Sequence, residues 1–133
     1  MNRLERSKNN KRLLWPYSQV DSVKYFYYKP FDGVMSKHDL KDRELVKVVL
    51  LCQKKTNAMI NLINNPNYFC YGECGTGIPE SEMKFYYSGE VIGEIRFACN
   101  HGQISSNPYN MLNKFGGLNE KGNETLDAIQ PWK

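Results

Sequence analysis

"SEMKFYYSGEVIGEIRFAC", residues Ser81 to Cys99, decides the fold. Two runs rich in β-branched and aromatic residues flank "YSG", the pattern of two strands joined by a tight turn. Two loops fit. A two-residue loop, Ser88-Gly89, pairs Phe85 with Ile92 and sends Val91, Ile95 and Phe97 to the opposite face. A three-residue loop, Tyr87 to Gly89, pairs Phe85 with Val91 and Met83 with Gly93. It gathers Met83, Phe85, Val91, Ile95 and Phe97 on one face. Burial favours the second loop, because a one-residue slip turns every side chain over. Gly89 then takes the left-handed position of a bulged turn.

Outward from the hairpin, "SVKYFYYKP" (Ser22 to Pro30) reads as another strand. Val23, Tyr25 and Tyr27 share one face, and Lys24, Phe26 and Tyr28 the other. "SKHDLKDRELVKVVLLCQKK" changes period: Leu45, Val48, Val49 and Cys52 follow the i, i+3, i+4, i+7 spacing of a helical stripe. Asp42 and Glu44 at its start and Lys54 and Lys55 at its end match a helix dipole. "TNAMINLINNPN" either extends that helix or forms a second one, and "NNPN" stops it. "HGQISSN" predicts a short strand, "YNMLNKFGG" a loop, and "LNEKGNETLDAIQ" a last helix weakened by Gly122. "LLWPYSQVD" reads as an extended arm that lays Trp15 on the core. Strand, helix, antiparallel meander and helix together make a single α+β domain, an antiparallel meander sheet with one or two helices packed on one face. Its length of 133 residues suits one core. Residues 1–20 form a basic tail and arm, and 21–133 the domain.

Charge is concentrated in the tail. Residues 1–12 carry Arg3, Arg6, Lys8, Lys11 and Arg12 against Glu5, so the whole net charge of +4 sits there and the body is neutral. The longest apolar run, "VVLLC" from Val48 to Cys52, is far too short to span a bilayer. No apolar stretch follows the early charges as in a signal peptide. Met1 is either a natural start or one placed after a leader was removed.

Four cysteines carry the chemical alternatives. Cys52 falls on the apolar stripe, where a thiol acts as a small hydrophobe. Cys70 and Cys74, in "CYGEC", could join Cys99 and His101 as three thiolates and an imidazole around zinc. Positions 99 and 101 point the same way in an extended strand. A disulfide fits better. In the expected register Ser81 faces Ile95, so the chain before it runs beside residues 96–99 and brings Cys74 to Cys99. Such a bridge contributes about 3 kcal/mol in the chain-entropy picture. A bridge through Cys70 is the alternative. A Cys99–His101 nucleophile pair would need both groups from one strand, whereas they normally come from separate elements.

Other chemistry finds no constellation. Asp39, Asp42 and Glu44 read as helix-start charges, and Glu80, Glu82, Glu90 and Glu94 as solvated strand positions. "ECGTGIPE" lacks the lysine and helix of a phosphate loop. His38 reads as a surface residue. "KYFYYKP" and "KFYYSG" place lysines beside rings, as a single-strand stacking platform does, but such a site also needs a basic groove. The expectation is therefore no cofactor, no nucleic acid and no integral membrane segment.

The block from Cys74 to Leu118, "C-x4-P … FYYSG-x-V-x-G-x-I-x-F-x-CN … SS-P … GGLNEKG", resembles a group of small Bacteroidetes-type proteins of unknown function, many of them exported. The shared positions are Cys74, Pro79, Phe85, Tyr86, Gly89, Ile95, Cys99, Gly117 and Leu118. "LKDRELVKVVLL" resembles a helix those proteins place earlier, so the resemblance covers about residues 40–128. It implies a fold and a periplasmic or exported setting, with a cytoplasmic one left open by the missing leader. It implies no enzyme activity.

The function expected is binding of another protein without catalysis, in an immunity-type or an exported lipoprotein-like form. Tyr25, Tyr27, Tyr28, Tyr86 and Tyr87 are the interface candidates, since alternating strands cannot turn them all inward. The alternative is a metal-binding or thiol-dependent enzyme centred on Cys70, Cys74, Cys99 and His101.

Overall fold

Alternation in "SVKYFYY" sets the middle of the molecule. In β1 (Ser22–Tyr28) Val23, Tyr25 and Tyr27 are buried, and the residues between them are half-exposed. The computed structural model describes residues 14–71, 78–98, 101–110 and 116–131. The strands that follow are β2 (Leu45–Leu50), β3 (Phe69–Tyr71), β4 (Pro79–Tyr87), β5 (Glu90–Ala98), β6 (Gln103–Asn107) and β7 (Gly116–Leu118). The helices are α1 (Gln53–Ile63) and α2 (Glu120–Ile129). Five strands form one sheet in the order β2-β1-β4-β5-β6, antiparallel throughout, and β3 pairs with β7 in a small second sheet. Met59, Leu62 and Ile63 of α1 and Leu126 and Ile129 of α2 join Val23, Tyr25, Met83, Phe85, Ile95 and Phe97 in one core. The single α+β domain with helices on one sheet face is the architecture expected.

The helix expected over Leu45–Cys52 is not formed. Leu45–Leu50 is β2 instead, and it pairs with β1 through Tyr25 opposite Val49 and Phe26 opposite Val48. Valine-rich sequence suits a strand, because branching at Cβ restricts the side chain in a helix. The helix starts only at Gln53, with Cys52 as its N-cap and exposed to solvent rather than buried. Lys54 and Lys55 therefore stand in the first turn of α1. Asp42 ends a 3-10 turn, and Glu44 pairs with Lys29 at 2.6 Å.

The hairpin differs in register. Tyr87 faces Glu90 across a two-residue turn, Ser88-Gly89, with φ of 53° and 83°. Two left-handed residues in a row are the geometry that matches strand twist. Tyr86 then faces Val91, the register shifts, and Phe85 faces Gly93, Met83 faces Ile95 and Ser81 faces Phe97. The expected Phe85–Val91 pair is replaced, and Val91 is exposed. A bulge at Ile92 inserts one extra residue, which returns the strand to inward alternation. Met83, Phe85, Ile95 and Phe97 are all fully buried as burial demands. The bulge achieves what a longer loop was expected to do.

The N-terminal arm is a turn rather than an extended strand. Tyr17 N–H donates to the Leu14 carbonyl at 2.8 Å, and Tyr17 has a φ of 64°. Trp15 does reach the core. It is buried edge-on to Phe85 at 5.0 Å between ring centroids, and its indole N–H donates to the Pro108 carbonyl at 2.7 Å. Gly93 makes room for it. A Cβ there would stand 2.8 Å from Pro16 Cβ and 3.1 Å from the Trp15 ring. Gly93→Ala should cost about 1–3 kcal/mol by overpacking, read as a lower urea midpoint. An unchanged midpoint would show that the arm does not seat there.

Candidate functional site

One sheet face is covered by helices, and the other carries the charged and aromatic residues that alternation leaves outside. Phe26 of β1 is followed across the sheet by Glu82 of β4, Arg96 of β5 and Ser105 of β6. Glu82 is the centre of this face. It is only 4% exposed, and it accepts a 2.6 Å hydrogen bond from the Tyr28 hydroxyl. Arg96 Nε lies 3.5 Å from its other oxygen, and Lys84 Nζ is 3.9 Å away. Arg96 also reaches Asp39 at 3.6 Å. The Asp39 carboxyl is held below its usual range, first by the Lys41 N–H it accepts and then by Arg96. Burial, then the Glu82 hydrogen bond, pushes the Tyr28 phenol up. Beside this network Lys84 lies over the Phe26 ring at 5.1 Å, and Lys24 over the Tyr86 ring at 5.2 Å. The expectation that Glu82 is solvated is corrected, because its partners come from neighbouring strands. Tyr28→Phe removes one partner of a buried carboxylate and should cost about 1–3 kcal/mol. Chemical denaturation at neutral pH checks this, and a loss within error of zero would contradict it.

The five interface tyrosines divide. Tyr25 and Tyr27 belong to the core and cannot meet a partner. Their rings stack at 4.4 Å between centroids, and the Tyr27 hydroxyl donates to the Pro131 carbonyl. Tyr28 and Tyr86 are half-buried on the open face, and Tyr87 is exposed at the hairpin end. Sequence reasoning passed over a second exposed set. Leu45, Val46, Val48 and Leu50 of β2 are 43–64% exposed. Their helical spacing hid them by assigning half of them to a core.

Of the proposed thiol and imidazole ligands, the two described ones, Cys70 and His101, differ in environment. Cys70 is a free, exposed thiol on β3, so the bridge through Cys70 is not formed. Cys74 and Cys99 lie outside the described residues, and with them the Cys74–Cys99 bridge. His101 is buried, its ring edge-on to Phe97 at 4.9 Å. Its Nδ1 donates to Asn123 Oδ1 at 2.9 Å, which leaves Nε2 to accept a long 3.4 Å bond from the Tyr25 hydroxyl. Ser81 Oγ lies 3.0 Å from the same hydroxyl and donates to it. Among the described residues no group of three His, Cys, Asp or Glu converges as metal ligands, and no helix is long and apolar enough to cross a membrane. A shallow concavity of about 360 Å³ between the arm and α1 is lined by Leu14, Trp15, Ser18, Val20, Asn57, Ile60 and Asn61, none of which titrates.

Burial lowers the His101 pKa below its ordinary 6.5, against the opposing pull of the Asn123 bond and of Glu80 and Asp127. The folded state thus prefers the neutral ring. Stability is complete above 6.5 and falls as the pH drops through that value, because the unfolded chain binds the proton first. His101→Asn, which tolerates the left-handed backbone at this position (φ 70°), should flatten that decline. Urea midpoints between about pH 8 and 5 give the comparison. Equal slopes in the two proteins would contradict the assignment.

Comparison with protein-family models, with curated proteins and with solved structures finds no match to this chain.

Proposed function

We propose that this chain is a noncatalytic domain that works by binding another protein on the open face of its sheet. The observation that carries the reading is the sheet face opposite the helices, where Tyr28, Tyr86 and Val91 stand among Lys24, Lys84, Arg96 and Glu94. Aromatic anchors within a polar rim are what protein interfaces use. The Tyr28–Glu82–Arg96 network fixes part of the surface before any partner arrives, which lowers the ordering cost of association. An immunity-type protein that blocks a toxin and an exported lipoprotein-like domain are the two specific forms. The second, with its periplasmic setting, draws on the resemblance of the Cys74–Leu118 block alone. The alternative, a metal- or thiol-dependent enzyme centred on Cys70, Cys74, Cys99 and His101, gains no support from an exposed Cys70 and an enclosed His101.

Tyr86 is half-buried and Val91 46% exposed, and the two face each other on the open side away from the core, so replacing both by alanine leaves the fold intact. The full chain immobilised as bait should retain one protein of its native host at near-equal stoichiometry. Tyr86→Ala/Val91→Ala should retain it about tenfold less well, a loss of about 1.4 kcal/mol. Equal retention by the variant, with circular dichroism matching the parent, would contradict the reading.

A further inference from the structure

Three stretches that meet around the N-terminal arm contain no Asp, Glu, Lys or Arg: residues 14–20, 56–68 and 103–110. The chain as a whole is 24% charged, so the gap belongs to this surface. Hydrogen bonds join the three. Trp15 N–H donates to Asn64 Oδ1 at 2.8 Å, the Trp15 indole to the Pro108 carbonyl, and the Tyr17 hydroxyl to the Tyr109 carbonyl at 3.2 Å. Between the arm and α1 they leave the concavity of about 360 Å³, with Trp15, Val20 and Ile60 as apolar wall and Ser18, Asn57 and Asn61 as polar rim. Leu14, Tyr17 and Tyr109 stand around it, 53%, 40% and 51% exposed. Tyrosine, aliphatic and amide groups without charge are the composition of an interface centre.

Charge begins only at the margins, and there it is basic. Leu14 lies on the rim. Lys11 and Arg12 precede it by three and two residues, a covalent tether of at most about 11 Å. Arg3, Arg6 and Lys8 lie further up the same tail, against Glu5 alone. At the other end of the concavity Lys54 is exposed one turn before Asn57, on the same stripe of α1. No acidic residue occurs in α1. The first acid after the arm, Asp21, is engaged by the hairpin turn, where it accepts from Ser88 N–H at 2.9 Å. The result is a neutral centre between two cationic margins.

We infer that the arm and α1 form a docking surface separate from the open sheet face, and that its occupant is an acidic segment of another protein. An apolar side chain of that segment enters the concavity, and carboxylates beside it meet the basic tail on one side and Lys54 on the other. Charge selects this occupant. A second copy of the chain, docked two-fold on this surface, would bring its own basic tail against the first. The tail itself would find no acidic residue within the patch to hold its cations. A nucleic acid needs cations along the groove that tracks its phosphates, and rings on which its bases stack. The described lining has no cation, and its one aromatic ring, Trp15, is 1% exposed. An acidic segment is drawn in by the margins and needs no charge at the centre.

Random linear peptides displayed on phage and selected against the immobilised full chain should converge on a Leu, Ile, Phe or Met flanked by Asp or Glu. A synthetic peptide of that consensus, followed by fluorescence anisotropy, is the probe for the variants. Leu14→Ser/Tyr109→Ala, at two exposed positions, should bind it about tenfold less tightly. Asn61→Asp should weaken binding and Asn61→Lys should not, a pair at one exposed α1 position that reads charge without touching the core. Affinity should fall with added salt, and replacing Arg3, Arg6, Lys8, Lys11 and Arg12 together by glutamine should remove most of that dependence. Tyr86→Ala/Val91→Ala should bind the peptide as the parent does, which separates this surface from the open face. No consensus, a consensus without acidic residues, or equal binding by Asn61→Asp and Asn61→Lys would each overturn the inference. So would tighter binding of oligouridylate or of phosphatidylserine vesicles, lost in Leu14→Ser/Tyr109→Ala.

Discussion

The pairing of β1 between β2 and β4 is the constraint on which the rest depends. Because β1 is bonded on both sides, its phase decides which face of the sheet is inside. Val23, Tyr25 and Tyr27 go in, and with them Met83, Phe85 and Ile95 on the strands beyond. That face then needs cover, and α1, α2 and Trp15 supply it. The helices are spent on one side, so the other side is left to be stabilised by its own side chains. Glu82 is the result. A carboxylate with 4% exposure is tolerable only because Tyr28, Arg96 and Lys84 surround it.

Local pattern revealed the strands whose two faces differ. β1, β4 and β5 alternate in hydrophobicity because one face is core and the other is not. A tight turn within "YSG" and the last helix were also legible, although the turn is the two-residue Ser88-Gly89 and not the three-residue loop expected. β2 was not legible. Its aliphatic residues lie on both faces, so period two vanishes, and the spacing of Leu45, Val48, Val49 and Cys52 satisfies a helix equally well. Only the partner strand distinguishes them, and that information is not local. The hairpin register failed differently. Burial correctly required Met83, Phe85, Ile95 and Phe97 to share a face, but a bulge and a longer loop both meet that demand.

The candidate site was less legible than the fold. That five tyrosines cannot all face inward was sound reasoning, and the phase assigned to β1 already placed Tyr25 and Tyr27 with Val23. Carrying that phase through would have narrowed the surface set to Tyr28, Tyr86 and Tyr87. Glu82 resembled a solvated acid because its partners are 54 residues away at Tyr28 and across a neighbouring strand at Arg96. His101 resembled a ligand because nothing in "CNHG" shows that its ring is enclosed by Phe97, Tyr25 and Asn123.

The account turns on β2 being a strand with β1 on one side and, among the described residues, no strand on the other, and amide hydrogen exchange read residue by residue tests that most directly. In dilute solution the amides of Lys47, Val49 and Leu51 should be protected by β1, while those of Val48 and Leu50 exchange at rates close to the unfolded chain. Uniform protection across residues 45–50 would mean a helix or a covered edge, and would contradict both the sheet order and the surface reading built on it.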